Sequence, residues 1–215
     1  MLREEKISPL YQFDLAYQPS LQHYIAGVDE AGRGPLAGPV VAASVILDYR
    51  DIIPSINDSK RLSAKKREYL LGRIETNARS IGIAIVDHTT IDEINILNAS
   101  KKAMKIALDQ LDPPPHMALI DAVSLDDLDY LYYPIIKGDA RSAAIAAASI
   151  VAKVTRDRLM MDYHKEYPSY RFDKHKGYPT QEHLRVLRQI GPCPIHRRTY
   201  KPVRDAIEAF SFRRV

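Results

Sequence analysis

Short apolar runs bounded by polar turns alternate with longer amphipathic segments along most of the 215-residue chain. The apolar runs predict five strands, at residues 23–29, 39–47, 80–86, 117–121 and 131–136. The second run is apolar at almost every position, which is typical of a strand buried on both faces. Pro134 favours an edge position for the last strand, because proline has no N–H to donate to a neighbouring strand.

Helical spacing predicts five helices, at about residues 63–78, 90–111, 142–163, 180–190 and 202–210. Ser63 has the side chain of an N-cap, and Thr90 with Glu93 matches the capping box that opens a helix. The third helix is rich in alanine between residues 143 and 152, so it can lie close against a sheet or another helix.

The alternation of strands and helices after the first two strands places the chain in the α/β class. We expect a mixed sheet flanked by helices, with a helical carboxy-terminal extension. Residues 1–22 show no sustained periodicity and are interpreted as an amino-terminal extension. Residues 23–165 are interpreted as the main domain, and residues 166–215 as a basic helical carboxy-terminal part.

Charge distribution separates the last third of the chain from the rest. The net charge of +4 is by itself weak evidence for a polyanionic partner. However, residues 153–215 carry 15 Lys or Arg against 7 Asp or Glu, whereas residues 1–152 carry 16 against 20. The basic charge is therefore concentrated in the last third of the chain.

The single cysteine, Cys193, excludes an internal disulfide and a cysteine-based zinc site. This usage fits a reducing compartment, and we expect a cytoplasmic protein. The charged amino terminus lacks the apolar core of a signal peptide, and the longest apolar run is too short to span a bilayer. We therefore expect no membrane partner, and nothing in the sequence demands more than a monomer.

Four carboxylates lie where predicted strands or loops end: Asp29, Glu30, Asp121 and Asp139. Asp29 and Glu30 would lie on opposite faces of a continuing strand, but four glycines between residues 27 and 38 indicate that the backbone leaves its regular course. A single aspartate at a strand end is more often a turn or cap residue. If the four meet, they predict a Mg²⁺ or Mn²⁺ site, because hard cations take oxygen ligands and relieve the repulsion between carboxylates.

Gly32-Arg33-Gly34 follows the first two carboxylates directly. It could be only a tight turn, since a lone short glycine motif is weak evidence. The alternative is that the glycines let the backbone approach a nucleic-acid strand, so that amides and carbonyls test a 2′-hydroxyl. Arg33 would then contact phosphate.

The segment from Lys174 to Tyr178 mixes basic and aromatic residues. It is either a solvated loop or a groove that follows phosphates, with Tyr178 as a stacking residue, and its basic surroundings favour the groove. His175, taken alone, is more often structural than catalytic, and the same holds for His196. Further residues that add to the basic groove are His196, Arg197, Arg198 and Lys201.

A set of motifs spanning residues 24 to about 203 resembles the ribonuclease HII family. The motifs are Gly27–Val40, Asp58–Lys60, Ile120–Asp121, Lys137–Ala140, Ala146–Asp157, His175–Tyr178 and His196–Arg198. The resemblance implies an RNase H-like mixed sheet flanked by helices, with residues 23–165 as the catalytic domain. It also implies an endoribonuclease that hydrolyses the RNA strand of RNA/DNA hybrids and cuts at ribonucleotides embedded in duplex DNA.

The resemblance also implies roles for single residues. The four carboxylates Asp29, Glu30, Asp121 and Asp139 correspond to the metal-site and catalytic residues. Tyr178 corresponds to the residue that tests the deoxyribose across the RNA–DNA junction. The other implied substrate contacts are the 2′-hydroxyl reader Gly32, Arg33 and Gly34, the strand contacts Ser59 and Lys60, and Lys153 and Arg156, which contact or orient the substrate backbone.

Phosphodiester hydrolysis at neutral pH is served by two divalent ions roughly 3.5 to 4 Å apart, one lowering the pKa of a bound water and one holding the leaving oxygen. By hypothesis Asp29 bridges both ions, Glu30 and Asp121 hold the leaving-group ion, and Asp139 helps hold the other. The resemblance places the cut on the 5′ side of a ribonucleotide, which leaves 3′-hydroxyl and 5′-phosphate ends.

Three alternatives to this interpretation remain open from the residues. They are a nucleic-acid-binding protein of the same fold that does not cut, a nuclease of the ribonuclease HIII branch, and a junction resolvase. The presence of all four acidic positions argues against the first, and the Gly-Arg-Gly loop together with Tyr178 favours ribonuclease HII. Residues 209–212 contain two aromatics but no glutamine, so they do not favour sliding-clamp binding through the tail.

Overall fold

In the computed structural model, which describes residues 7–20, 22–126 and 128–211, a five-stranded sheet has the order β3-β2-β1-β4-β5. β2 pairs antiparallel with both β1 and β3, whereas β1, β4 and β5 are parallel. The mixed sheet confirms the predicted class, and β5 is the edge strand that Pro134 predicted. The strands are β1 (Ile25–Ala31), β2 (Val40–Ile46), β3 (Ser80–Val86), β4 (Met117–Asp121) and β5 (Leu131–Ile135).

Helices cover both faces of this sheet and form the carboxy-terminal part. Ser63, Ser142 and Thr180 cap three of them, each accepting a bond from the amide three residues later. The predicted helices therefore lie close to their observed bounds. The helices are α1 (Pro9–Leu15), α2 (Ala64–Asn77), α3 (His88–Asp109), α4 (Ala143–Glu166), α5 (Phe172–His175), α6 (Gln181–Ile190) and α7 (Lys201–Ser211).

The predicted start of α3 was wrong. Asp87 rather than Thr90 is the N-cap, and its Oδ1 accepts the amide of Thr90 at 2.8 Å. The helix is interrupted at Asn95, where φ is 66° and the side chain accepts the amides of Leu97 and Asn98. α3 is thus two helical segments, each with its own capping side chain.

The core lies on both faces of the sheet. On one face, α3 packs its buried residues against the central strands. On the other, α2 and the alanine-rich part of α4 cover β2 and β3, and α4 also crosses β1. The close approach predicted for α4 is confirmed at Gly27, where an added Cβ would overlap backbone atoms of Ala144.

Part of the predicted amino-terminal extension is integrated with the main domain. In α1, Tyr11 is buried and its hydroxyl accepts the amide of Ile53 at 3.0 Å. Asp14 is also buried, where it accepts the amide of Ala144 and the hydroxyl of Tyr49, both at 2.9 Å. Burial raises the pKa of Asp14 to about 6.

The carboxy-terminal helices α5 to α7 lie beside the loop that joins β1 to β2. A β-bridge connects Ala37 of that loop to His196, and the Leu36 amide donates to the Gly177 carbonyl at 2.8 Å. These contacts bring the basic last third of the chain to the loop that follows β1. None of the helices in the described part of the chain has the length and apolar character needed to cross a membrane.

Candidate active site

Three of the predicted carboxylates meet at one end of the sheet. Asp29 lies near the end of β1, Asp121 is the last residue of β4, and Asp139 lies in the 3₁₀ turn after β5. Because β1 and β4 are parallel neighbours, with Val28 paired to Ile120, the residues that follow them come side by side. Carboxylate oxygens of the three aspartates lie within 4.8 Å of one another.

Glu30 stands beside this cluster. β1 continues regularly to Ala31, and Glu30 pairs with Ala42. The departure predicted from the glycines occurs after both carboxylates, with φ of +108° at Gly32 and +81° at Gly38. One carboxylate oxygen of Glu30 is 3.4 Å from Nη1 of Arg33, and the other is buried without a hydrogen-bond partner. A buried oxygen of this kind is available to a cation.

The electrostatics of the cluster also fit a bound cation. Burial raises the pKa of Asp29 well above its ordinary range, and the charges of Glu30 and Asp121 raise it further. Burial likewise raises the pKa of Glu30, against the opposing charge of Arg33. It raises the pKa of Asp121 too, although the Gly138 amide donates to that carboxylate at 2.7 Å. A divalent cation would compensate this concentration of buried negative charge.

A cleft of about 170 Å³ opens beside the cluster. Except for Arg156, every predicted substrate contact lines it. Tyr178 is 39% exposed there and lies against Gly34, since a Cβ added at Gly34 would be 3.6 Å from its ring. The lining residues are Glu30, Ala31, Gly32, Arg33, Gly34, Ser59, Lys60, Ser149, Lys153 and Tyr178.

Lys60 and Lys153 bring positive charge to this cleft. Nζ of Lys60 lies 3.3 Å from Oδ2 of Asp139, and the side chain of Lys60 is otherwise exposed. Nζ of Lys153 pairs with Asp157 at 2.7 Å and lies 5.8 Å from the centre of the Tyr178 ring. Both ammonium groups can therefore meet a phosphate close to the carboxylates.

Arg156 was predicted to contact or to orient the substrate backbone, and its burial away from the cleft corrects the first of these two roles. Its side chain has no exposed surface. Its three nitrogens donate to the carbonyls of Pro39, Lys176 and Ala37. The spacing of basic residues along α4 could not distinguish this inward position from an outward one.

Ser149 is a cleft residue that the sequence reasoning did not select. Its hydroxyl lies 2.8 Å from the hydroxyl of Ser59, and its hydrogen bond to Asp29 lowers the pKa of that carboxyl. Ser149 precedes Lys153 by four residues in α4, so both lie on one helix face. That spacing was a signal that could have identified it.

Only some of the residues predicted to form the basic groove are exposed at the surface. Arg197 is fully buried, as is His196, whereas Lys174 and Arg198 are exposed. Lys201 is exposed and pairs with Asp205 at 2.9 Å. The concentration of positive charge in the sequence therefore overstates the charge available to a nucleic acid.

The histidines of this region form an internal chain of hydrogen bonds, which fits their structural interpretation. His183 Nδ1 donates to the Tyr178 carbonyl at 2.9 Å, so its Nε2 accepts from His196 Nε2 at 3.1 Å. His196 Nδ1 in turn accepts the Cys193 amide at 3.0 Å. Burial lowers the pKa of His183 to about 4 and that of His196 to about 3, so both rings are neutral at pH 7.

Comparison with known proteins agrees with this geometry. The family model described as Ribonuclease HII matches residues 26–203, which include every carboxylate and every lining residue of the cleft. The chain belongs to the ribonuclease HII family. It is accordingly a metal-dependent ribonuclease H, an endonuclease for the RNA strand of RNA/DNA hybrids.

Other members of the ribonuclease HII family are similar over most of the chain. Ribonuclease HII of Caldanaerobacter subterraneus subsp. tengcongensis is 58% identical over 178 residues, covering 83% of this chain and 74% of that protein. Ribonuclease HII of Geobacter metallireducens is 52% identical over 185 residues, covering 86% of this chain and 87% of that protein.

Solved structures show the same RNase H-like fold. Ribonuclease H2 from Pyrococcus horikoshii OT3 aligns with a TM-score of 0.75 and 28% identity, covering 89% of this chain and all of that one. RNase HII in the PCNA:RNase HII complex from Archaeoglobus fulgidus aligns with a TM-score of 0.70 and 26% identity, covering 85% of this chain and 96% of that one. Bst-RNase HIII in complex with Mn²⁺ aligns with a TM-score of 0.67 and 17% identity, covering 90% of this chain and 71% of that one. At this identity the likeness is one of fold alone.

Proposed function

We propose that this ribonuclease HII cuts both RNA/DNA hybrids and duplex DNA that contains single ribonucleotides, on the 5′ side of a ribonucleotide. The products would carry 3′-hydroxyl and 5′-phosphate ends. The observation that carries the proposal is the cleft in which Gly32-Arg33-Gly34 and Tyr178 lie together beside the carboxylates. Two sugar-contacting elements at one cleavage centre suit a junction between ribose and deoxyribose.

We infer that Asp29, Glu30, Asp121 and Asp139 hold two Mg²⁺ or Mn²⁺ ions. The clustered aspartate oxygens and the unpartnered oxygen of Glu30 support this donor set. When bound, two such ions supply an activated water and stabilise the leaving 3′-oxygen. The protein's own contribution is to hold the carboxylates in place, three on strands β1 and β4 and one in the turn after β5, and to orient the scissile phosphate.

The cleft offers separate contacts for phosphate and sugar. The half-exposed guanidinium of Arg33, beside Glu30, and the ammonium group of Lys60, beside Asp139, can bind backbone phosphates. The backbone at Gly32 and Gly34 carries no side chain to block a sugar, so its polar groups can approach a 2′-hydroxyl. Tyr178 would pack on the neighbouring deoxyribose.

The substitution Tyr178→Ala tests the sugar contact. We expect cleavage at a single embedded ribonucleotide to fall about 10- to 100-fold, the range for losing one aromatic stack. Affinity for an all-DNA duplex should stay within about twofold, because Lys60 and Lys153 still contact phosphate. Single-turnover rates and filter-binding affinities measure the two quantities. Tyr69→Ala is the matched control, since Tyr69 is exposed on α2 outside the cleft.

Equal losses of binding and of cleavage in Tyr178→Ala would mean that Tyr178 only docks the duplex. Unchanged cleavage would remove it from the site altogether. Either result would leave the carboxylate assignment standing, because that assignment is tested separately.

The substrate itself is tested by one cleavage assay. Three duplexes are compared, each with Mg²⁺ or Mn²⁺: DNA with a single ribonucleotide, all-DNA, and a long RNA/DNA hybrid. We expect cleavage of the first and third, with no cleavage of all-DNA. The products should carry a 3′-hydroxyl that a DNA polymerase extends and a 5′-phosphate that a phosphatase removes. Cleavage of the all-DNA duplex, or none at a single ribonucleotide, would refute the proposed specificity.

We propose that the enzyme acts as a cytoplasmic monomer. The buried free thiol of Cys193 suits a reducing compartment. The Archaeoglobus fulgidus neighbour was solved in a complex with PCNA, but a sliding-clamp contact through residues 209–212 is not proposed for this chain. Phe210 lies against Gly191 within the fold, and Phe212 lies outside the described residues.

A further inference from the structure

Two buried arginines lie beneath the glycine loop, defined as residues 32–39. Arg156 on α4 and Arg197 before α7 have no exposed surface and are among the largest fully buried side chains. Their guanidinium groups donate to carbonyl oxygens and one tyrosine hydroxyl rather than to carboxylates. Such buried cations are costly, so their retention requires a reason.

Arg156 connects three points of the surrounding backbone. Its Nε donates to the Pro39 carbonyl at 3.0 Å and its Nη2 to the Ala37 carbonyl at 3.1 Å, both in the glycine loop. Its Nη1 donates to the Lys176 carbonyl at 3.0 Å, two residues before Tyr178. One side chain therefore holds the glycine loop against the segment that carries the tyrosine.

Arg197 binds the glycine loop at more points. Its three nitrogens donate at 2.6 to 3.2 Å to four loop carbonyls and to one hydroxyl, which belong to Gly32, Arg33, Gly38, Pro39 and Tyr200. The Tyr200 hydroxyl donates in turn to the Arg33 carbonyl at 2.9 Å. These four carbonyls of the glycine loop are thus turned inward, toward Arg197.

No other side chain could make these contacts. The guanidinium group presents five N–H donors in a planar fork, whereas lysine has one ammonium group and an apolar residue has no donor. Burial and the neighbouring charge of Arg197 lower the pKa of Arg156 to about 10, which still leaves it charged at pH 7. The energetic cost of burying two like charges indicates that the loop geometry, rather than core packing, accounts for them.

The glycine at position 32 fits the same arrangement. Its φ is +108°, and an added Cβ would overlap Nε of Arg156 and lie 2.7 Å from the Pro39 carbonyl oxygen. Gly32 is therefore required by the arginine beneath the loop as well as by any substrate above it. The guanidinium of Arg156 also lies 5.8 Å from the centre of the Tyr178 ring.

We propose that Arg156 and Arg197 are positioning residues for the recognition of a ribonucleotide beside a deoxyribonucleotide. Arg197 fixes the conformation of the glycine loop, and Arg156 sets the spacing between that loop and the segment that carries Tyr178. Neither side chain can touch the substrate, because both are buried. They would act through the carbonyls that they bind. This inference rests on the proposed function of the cleft.

The substitution Arg197→Lys tests the proposal, since it keeps the positive charge and removes the planar fork. At a temperature where the variant is fully folded, kcat at a single ribonucleotide should fall about 100-fold, the cost of misplacing a contact by about 1 Å. KM and the affinity for Mn²⁺, measured by calorimetry, should change less than about threefold, because the phosphate contacts and carboxylates are untouched. A purely structural role would leave kcat unchanged below the melting transition.

A matched control and a milder variant complete the test. Arg188→Lys makes the same change at an exposed position on α6 and should match the wild type in kcat and KM. Tyr200→Phe removes one donor to the Arg33 carbonyl and should lower kcat in the same way by about tenfold. If Arg197→Lys does not fold, the kcat of Tyr200→Phe tests the proposal in its place.

The inference is overturned if folded Arg197→Lys, or folded Tyr200→Phe where the lysine variant is unfolded, keeps wild-type kcat. Parallel losses of kcat and Mn²⁺ affinity would also overturn it, because they would place the defect at the carboxylates. Failure of the proposed function is recognised separately, since the wild type itself would then not cut the duplex with one ribonucleotide.

Discussion

The substitution Asp29→Asn is expected to abolish metal-dependent cleavage while leaving the fold and hybrid binding intact. Asp29 is the most central carboxylate of the cluster, buried beside Glu30 and Asp121, and asparagine cannot supply its negative charge. Loss of metal-based charge stabilisation is worth several kcal/mol, so cleavage should slow at least about 1,000-fold. Single-turnover cleavage of a long hybrid in Mg²⁺ or Mn²⁺ measures this loss.

The same variant makes a second measurement decisive. Without metal, Asp29→Asn should be at least as stable as the wild type, because it removes a buried charge from a cluster of like charges. At a Mn²⁺ concentration about 100 times the dissociation constant, the wild type should gain about 2.7 kcal/mol of stability. The variant should gain much less, as followed by thermal unfolding with and without Mn²⁺.

Asp162→Asn is the control for this experiment. It makes the same chemical change at an exposed position on α4, where Asp162 pairs with Lys165 at the surface. It should leave the cleavage rate and the Mn²⁺ stabilisation unchanged. Retained turnover in Asp29→Asn would refute the metal assignment, and lost hybrid binding would show that Asp29 also supports the duplex.

The substitution Gly27→Ala is expected to destabilise the protein by about 3 kcal/mol or more. An added Cβ would overlap the carbonyl carbon and oxygen of Ala144 and the amide nitrogen of Ile145, all backbone atoms of α4. Backbone cannot rotate away as a side chain can, so β1 and α4 would have to separate. Urea unfolding without metal measures the free energy of unfolding.

Gly72→Ala is the matched control, because the structure places nothing within 4 Å of an added Cβ at this position in α2. An alanine there should stabilise the protein by about 0.5 to 1 kcal/mol through helix propensity. If Gly27→Ala changed stability by less than about 1 kcal/mol, the close contact between α4 and the sheet would be wrong.

Local patterns were sufficient for most of the elements. β3 and β4 have the predicted bounds because their apolar runs end at turn or charged residues that no distant contact overrides. At α3, Asp87 and Thr90 both have side chains suited to an N-cap, and the capping box favoured the wrong one. The choice between two adequate caps depends on how the helix docks, which the local sequence does not contain.

The candidate site was predictable in its chemistry and less so in its geometry. Asp29, Asp121 and Asp139 were identified because carboxylates at strand ends point to one edge of a sheet. The position of Glu30 could not be predicted, because the register of β1 against β2 keeps the strand regular through Ala31. The β2 residues that set this register lie outside the segment that contains Glu30.

Residue type and short-range spacing were enough to predict the α/β class, the candidate ligands and most of the residues that line the cleft. Which basic residues line the cleft and which are buried depended on long-range contacts. Arg156 and Arg197 look like surface cations in the sequence, yet both are buried under carbonyls that lie more than 100 positions earlier in the chain. A buried charge requires converging acceptors, and only the folding of β1, α4 and the carboxy-terminal part around one loop brings them together.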